Sequence, residues 1–196
     1  MAILIAFTLY HSIRITPLDQ ARQAKSDSVF NAKAYAIAFM SDKIEDLPAI
    51  NASVFIDNIS NDLMNYCFEN GKKLGISDEY NFIIQGNANV KAIEDEYIML
   101  ALEDNKEVQL ATDFIFGNAI RDGSGMAHID DYQNTMDFNS ISVELNNIVR
   151  ETLVPILKEK VKIGDSIYFK GAVKIDIEKP NIKELKVIPV RIKFKN

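Results

Sequence analysis

Past residue 80 the hydrophobic period of this chain runs two, then helical, then two again, and few small folds accommodate that order. In NFIIQGNANV, Phe82, Ile84, Gly86, Ala88 and Val90 alternate with Asn81, Gln85, Asn87 and Asn89, the mark of a half-buried strand. EYIMLALED reads as a second strand, closed by the turn Glu103–Asp104–Asn105. EVQLATDFIFG is a third, with Val108, Leu110, Thr112, Phe114 and Phe116 expected on one face. A helical stripe follows through Ile141, Leu145, Ile148, Val149, Thr152, Leu153 and Ile156. Pro155 lies inside it and is expected to kink or end the helix. Two more alternating runs close the chain. DSIYFKGAVKI carries Ile167, Phe169, Gly171, Val173 and Ile175, and ELKVIPVRIKF carries Ile188, Val190, Ile192 and Phe194, with Pro189 demoting the last to an edge or a bulge. Three strands, a helix and two strands is the order of an OB-like five-stranded barrel with a helix between strands 3 and 4. Gly86 and Gly171 suit strands that must coil sharply.

The first part of the chain is helical in pattern. ITPLDQARQAKSDSVFNAKAYAIAFM offers Thr16 as an N-cap and Pro17 at the first helical position, predicting a helix over about 17–40 with an interruption near Ser26–Ser28. After Asn51, the spacing of Phe55, Ile59, Leu63, Tyr66 and Cys67 predicts a second helix, ending at Gly71 or Gly75. The expected class is therefore α+β: residues 16–78 a helical subdomain and 79–196 the barrel. The opening MAILIAFTLY, within residues 1–15, is apolar but shorter than the about 20 residues that span a bilayer. It reads as the remnant of a signal or membrane anchor, with the rest exported. The competing reading is a buried strand or helix start in a cytosolic protein.

Composition narrows the function classes. The 196 residues are 47% hydrophobic and 26% charged, enough for a globular core. The net charge of −6 is uneven, about +6 over residues 158–196 and −12 before them. An acidic body argues against a dedicated nucleic-acid binder, since phosphate affinity rests on cation contacts. The single cysteine, Cys67, excludes an intrachain disulfide and a cysteine metal cluster, and its apolar helical position reads as core packing.

Several stretches, FNAKAYAIAFMSDKI, the Gly-containing first strand, FGNAIRDGSG, IDDYQNTMDFNSISVELNNIVRETLVPIL and GDSIYFKGAV, occur in an order that resembles the bacterial domain of unknown function 2291 (DUF2291). The resemblance covers about residues 29–196. It implies a periplasmic or envelope lipoprotein, with a helical subdomain joined to an OB-like one, often encoded beside sugar ABC-transporter genes. It implies no particular activity. Two departures stand out: the N-terminal run has no lipobox cysteine, and GSGMAHIDDY replaces a more apolar loop.

The segment FGNAIRDGSGMAHIDDYQNTMDF, residues 116–138, shows neither period and is expected to be a loop. It supplies the candidate ligand or interaction residues Asn118, Arg121, Asp122, Asp131, Tyr132 and Asn134. A guanidinium gives planar, bidentate recognition of an anionic or hydroxyl-rich ligand, with Asp122 orienting it. The structural alternative is that Arg121 and Asp122 tether the loop to the barrel. Asp113, Asp130, Asp131 and Asp137 offer oxygen ligands, but their spacing matches no calcium loop, and Asp137 or Asn139 is expected to cap the helix at 141. His128 and His11 lack the partners of a nucleophilic site. Tyr168, Lys170 and Lys174, with Arg191, Lys193 and Lys195, share the outward faces of the last two strands. They read as a glycan or nucleic-acid groove, or as lysines that protect an edge. With no phosphate loop, HExxH or GxSxG motif, no catalytic residue, metal or cofactor is assigned. The expected function is a non-catalytic envelope accessory or binding protein, with envelope or transporter proteins as partners, a small carbohydrate as ligand and no nucleic acid. The alternatives are a hydrolase pairing carboxylates from Asp113, Asp122, Asp130 and Asp131, and an OB-type nucleic-acid or glycan binder.

Overall fold

The computed structural model describes residues 30–195, and its strands occupy the alternating runs of the sequence. β1 (Ile50–Asn51) is a short parallel addition to β2 (Glu79–Ile93) at Ile84 and Gln85. The 15-residue β2 is long enough to pair twice, with β3 (Tyr97–Leu102) through its second half and with β5 (Ser166–Asp176) through most of its length. β4 (Glu107–Ala111) continues the meander from β3, and Asn105 in the hairpin between them takes φ of 64°. β6 (Lys186–Lys195) pairs antiparallel with β5 and parallel with β4 at Gln109 and Leu110. The order β2–β3–β4–β6–β5 therefore closes back on β2 as a five-stranded barrel.

Pro189 sits at a bulge, opposite Gly171, where the β5–β6 register shifts. β6 closes the barrel, flanked by β5 along most of its length and by β4 at Lys186 and Val187. Gly171 allows the close approach: a Cβ there would run into Val187 and lie 2.6 Å from the Ile188 carbonyl oxygen. Gly86 pairs with Phe169 in regular register, and a Cβ there would meet the Phe169 ring at 3.3 Å.

The helices that precede the barrel share its core. α2 (Ala52–Asn61) is capped by Asn51, whose side chain accepts the N–H of Ser53 and of Val54, and α3 (Leu63–Asn70) by Asp62. The predicted single helix is thus two, broken at Asp62. Phe55, Ile56, Ile59 and Cys67 join Phe82, Leu100, Leu110 and Phe169 in one hydrophobic core. Burial pushes the Cys67 thiol up to about 11, so its packing role holds. Of the first predicted helix, the described part is α1 (Ala32–Ala38), continued by a π-helical turn over Phe39–Lys43. Its residues 17–29, and the anchor assigned to 1–15, lie outside the described residues.

Three expectations in the middle of the chain are corrected. The third strand stops at Ala111. Phe114 adopts φ of 52° with Asp113 Oδ1 accepting its N–H, so the alternation flips: Ile115 is buried while Phe114 and Phe116 are exposed. The segment 116–138 is not all loop, for it holds α4 (Ala119–Ser124) and a 3₁₀ turn at Ile129–Asp131. Helix α5 (Thr135–Ile148) begins six residues earlier than expected and is capped by Asn134, which accepts the Asp137 N–H at 2.8 Å, rather than by Asp137 or Asn139. A π turn over Val149–Leu153 then leads into α6 (Val154–Lys160), with Pro155 in its first turn. A proline removes one N–H and crowds the preceding turn, and widening that turn relieves both. The extra residue shifts the buried face from Val149 to Val154 and Leu157, leaving Thr152 and Ile156 exposed.

Candidate functional site around Arg121 and Asp122

Five of the six residues of α4 are buried, because the helix is wedged between α5 and the barrel. Gly123 permits this, since a Cβ there would stand 3.0 Å from the Phe82 carbonyl oxygen on β2. Arg121 is only 2% exposed. Its Nε donates to Asp122 Oδ1 at 2.7 Å, and one terminal nitrogen donates to the Phe138 carbonyl at 3.2 Å and to Asn139 Oδ1 at 3.1 Å. The guanidinium lies 3.7 Å from the centre of the Phe138 ring, a cation–π contact. Asp122 Oδ2 accepts from Asn118 at 2.8 Å. Together these bonds tether α4 to α5.

Of the candidates, Asn118, Arg121 and Asp122 are therefore brought together. Tyr132 packs its ring against Phe138, 5.6 Å between centroids, and so borders the same cluster. Asn134 is occupied as the α5 cap. Asp131 lies exposed in the 3₁₀ turn, and Asp113 holds the turn at Phe114.

Each member of the ion pair also lines a concavity. Asp122 contributes to a cleft of about 550 Å³ between the end of α3, the start of β2 and the turn over 125–130. Its apolar walls are Phe68, Tyr80 and Phe138, and Lys72, Lys73, His128 and Asp130 supply charge or hydrogen bonds. Phe68 and Tyr80 meet edge to face at 5.7 Å, with the Lys73 ammonium 4.9 Å above the Tyr80 ring. Lys72 Nζ donates to the Ser124 carbonyl at 2.9 Å, and burial pushes its pKa down. The Tyr80 hydroxyl is buried with no hydrogen-bond partner among the described residues, which costs about 1–3 kcal/mol unless something else supplies one. Sequence reading missed Phe68, Lys72, Lys73 and Tyr80 as site residues. The available signal was the paired lysines after Gly71, where a helix hands over to a strand. Arg121 contributes to a second concavity of about 350 Å³, beside α5.

The basic face of the last strands is not an open groove. Lys170 is 3% exposed, and its ammonium donates to the carbonyls of Ile44, Glu45 and Leu47 at 2.9–3.0 Å. Glu45 also pairs with Arg191 and Lys193, and Lys174 pairs with Glu79. Tyr168 donates its hydroxyl to Gln85 at 2.8 Å. The segment after α1 thus covers and neutralises much of this face, while Arg191, Lys193 and Lys195 lie on the part of β6 that pairs with β5 alone.

No group of three His, Cys, Asp or Glu side chains able to hold a metal ion occurs among the described residues. No helix among them is long and apolar enough to cross a membrane.

A family model described as "Predicted periplasmic lipoprotein (DUF2291)" matches residues 3–193. The chain belongs to the DUF2291 family. That description names a compartment and an anchor and no reaction, and it puts this DUF2291 protein on the periplasmic side of the cell envelope. An OB-fold protein from Thermotoga maritima, known from a crystal structure, matches with a TM-score of 0.75 and 22% identity, covering 86% of this chain and 100% of that one. The likeness shows the fold, an OB barrel with added helices. No curated protein matches the sequence.

For hydrolysis by a DUF2291 protein built this way, two carboxylates must share one cleft. Asp122 and Asp130 do line the same cleft, whereas Asp113 and Asp131 do not. Both oxygens of Asp122, however, already accept hydrogen bonds from Arg121 and Asn118.

Proposed function

We propose that this protein is a non-catalytic binding module of the cell envelope, anchored through its N-terminus and working beside a carbohydrate uptake system. Its ligand is a small carbohydrate held in the cleft of Phe68, Lys72, Lys73 and Tyr80. The observation that carries the reading is the composition of that cleft: aromatic walls for the apolar face of a sugar ring, next to Lys73, His128 and Asp130 for its hydroxyl groups. Concave sites of a few hundred Å³ with few, convergent polar groups are the usual form of small-ligand sites. The link to uptake rests on the family resemblance alone. An acidic net charge and a basic face occupied by Glu45 speak against nucleic acid as the partner.

The test is thermal unfolding of the full chain against a panel of mono- and oligosaccharides. A ligand of the folded state at a hundredfold excess over its dissociation constant adds about 2.7 kcal/mol. A rise in midpoint for a panel member, lost in Phe68→Ala and Lys73→Ala, is expected. A panel without any shift, or a shift that persists in both variants, would remove the reading. The hydrolase alternative is favoured only by the shared cleft of Asp122 and Asp130. New reducing ends in the same incubations would establish it and overturn the non-catalytic assignment.

A further inference from the structure

The second concavity differs in kind from the sugar cleft. Asn118, Arg121, Asn139, Ser142, Asn146 and Arg150 line it, and none of its lining residues is an Asp or Glu. Arg150 bonds only neutral partners, the Ile115 carbonyl and Asn147 Oδ1, and forms no ion pair among the described residues. Asn146 donates to the Gly117 carbonyl at 2.7 Å, which fixes its amide. Ser142 is 8% exposed, and its hydroxyl has no hydrogen-bond partner among the described residues. Arg150 is exposed to solvent, and its guanidinium has among the described residues no counter-charge, the group that would complete the hollow. That group is an anion with acceptor oxygens. Val143, 55% exposed, and Phe116, 70% exposed, add apolar surface to the same walls, which a bare inorganic anion would leave in water.

We infer that this hollow is a second binding site, for a small organic carboxylate. Its carboxylate meets Arg150 while its carbon body lies against Val143 and Phe116. A guanidinium presents two parallel donors to a carboxylate, which fixes orientation as well as charge. Arg121, already committed to Asp122, Asn139 and Phe138, contributes positive potential and a rigid wall. Apart from Leu74 the two hollows share no lining residue, so either proposal can fail alone.

The probe is D-glucuronate, with D-glucose as the uncharged ligand of similar skeleton, titrated into the full chain and followed by two-dimensional amide NMR. Saturable shifts are expected for glucuronate at Ser142 and at the side-chain amides of Asn139 and Asn146, and none of these for glucose. Val143→Glu sets a negative charge on the exposed wall and should weaken glucuronate at least about tenfold, the scale of one charge-assisted hydrogen bond. Val143→Gln, which removes the same apolar surface without adding charge, should weaken binding less than Val143→Glu, and Phe68→Ala, in the other cleft, should leave it unchanged. Arg150→Gln gives a second removal of the anchor should Val143→Glu alter the spectrum of the free protein. Equal responses to glucose and glucuronate, shifts that survive both Val143→Glu and Arg150→Gln, or no saturable response at millimolar glucuronate would each overturn the assignment.

Discussion

Burying a guanidinium is costly unless acceptors meet its donors, and Arg121 meets this condition through Asp122, Phe138 and Asn139. Removing one partner strands the other. Arg121→Met should therefore destabilise the fold by about 3–5 kcal/mol, because Asp122 stays buried without its counter-charge. The double variant Arg121→Met/Asp122→Leu should recover part of that loss, a non-additivity that denaturant unfolding of the single and double variants measures. Lys170 poses the same problem without a carboxylate in contact. Desolvation pushes its pKa below the ordinary 10.5, although Glu45 and Asp46 act in the opposite sense. With the folded value lowered, the folded state holds fewer protons than the unfolded chain in the interval between the two. The charged form is the disfavoured one, so the contribution of Lys170 to stability rises as pH climbs through that interval toward 10.5. The stability difference between the protein and Lys170→Met should grow with alkaline pH, as paired urea titrations at rising pH would record. A difference that stays flat or shrinks would contradict the burial argument.

Among the elements, those whose order depends on side-chain alternation were legible in the sequence. Val, Ile and Phe at every second position of β2 and β5 report which face is buried, and the barrel follows from the order of the strands; in β6 the bulge at Pro189 puts Val187 rather than Ile188 on the buried face and leaves Phe194 exposed. The elements that were not legible depend on single backbone events. Phe114 in a left-handed conformation inverts the face after β4, and no pattern of polarity announces that. The six-residue α4 is too short for a periodic signal and is held by Arg121 and by contact with β2. The π turn before Pro155 moves the stripe by one position, although Pro155 itself marks the place. The cleft was half visible. Asn118, Arg121 and Asp122 are neighbours in sequence, but Phe68, Lys72, Lys73 and Tyr80 reach it from α3 and β2, and only the fold joins them. Two substitutions test the elements directly. Asn134→Ala should cost about 1 kcal/mol, the value of a side-chain N-cap, whereas a cap at Asp137 or Asn139 would leave it silent in thermal melts. Gly171→Ala should cost about 3 kcal/mol, since the added methyl meets Val187 and the Ile188 carbonyl in a packed wall.

For the whole molecule, closure is the decisive property. β2 and β5 pair residues such as Tyr80 and Ile175, far apart in sequence, and the ring is sealed only when β6 enters between β4 and β5. Contacts of this kind form late and yield nothing until the loop between them has been closed. A chain ending before residue 186 would leave two strand edges open and lose Val187 and Val190 from the interior. Such a truncation should show no cooperative thermal transition by circular dichroism; a sharp transition would mean that β6 is dispensable. The ion pair at the centre of the helical layer has a further effect at this scale. Arg121 faces one hollow and Asp122 the other, with a single 2.7 Å bond between them. If both proposed occupants bind, one that draws on either partner would alter the field the other presents, and the two hollows would be coupled through one shared bond. Thermodynamic reciprocity then fixes the relation: the factor by which a sugar in the first hollow changes carboxylate affinity in the second must equal the factor by which the carboxylate changes sugar affinity. The protein would thus report on two solutes jointly, with Arg121 and Asp122 as the hinge of that report.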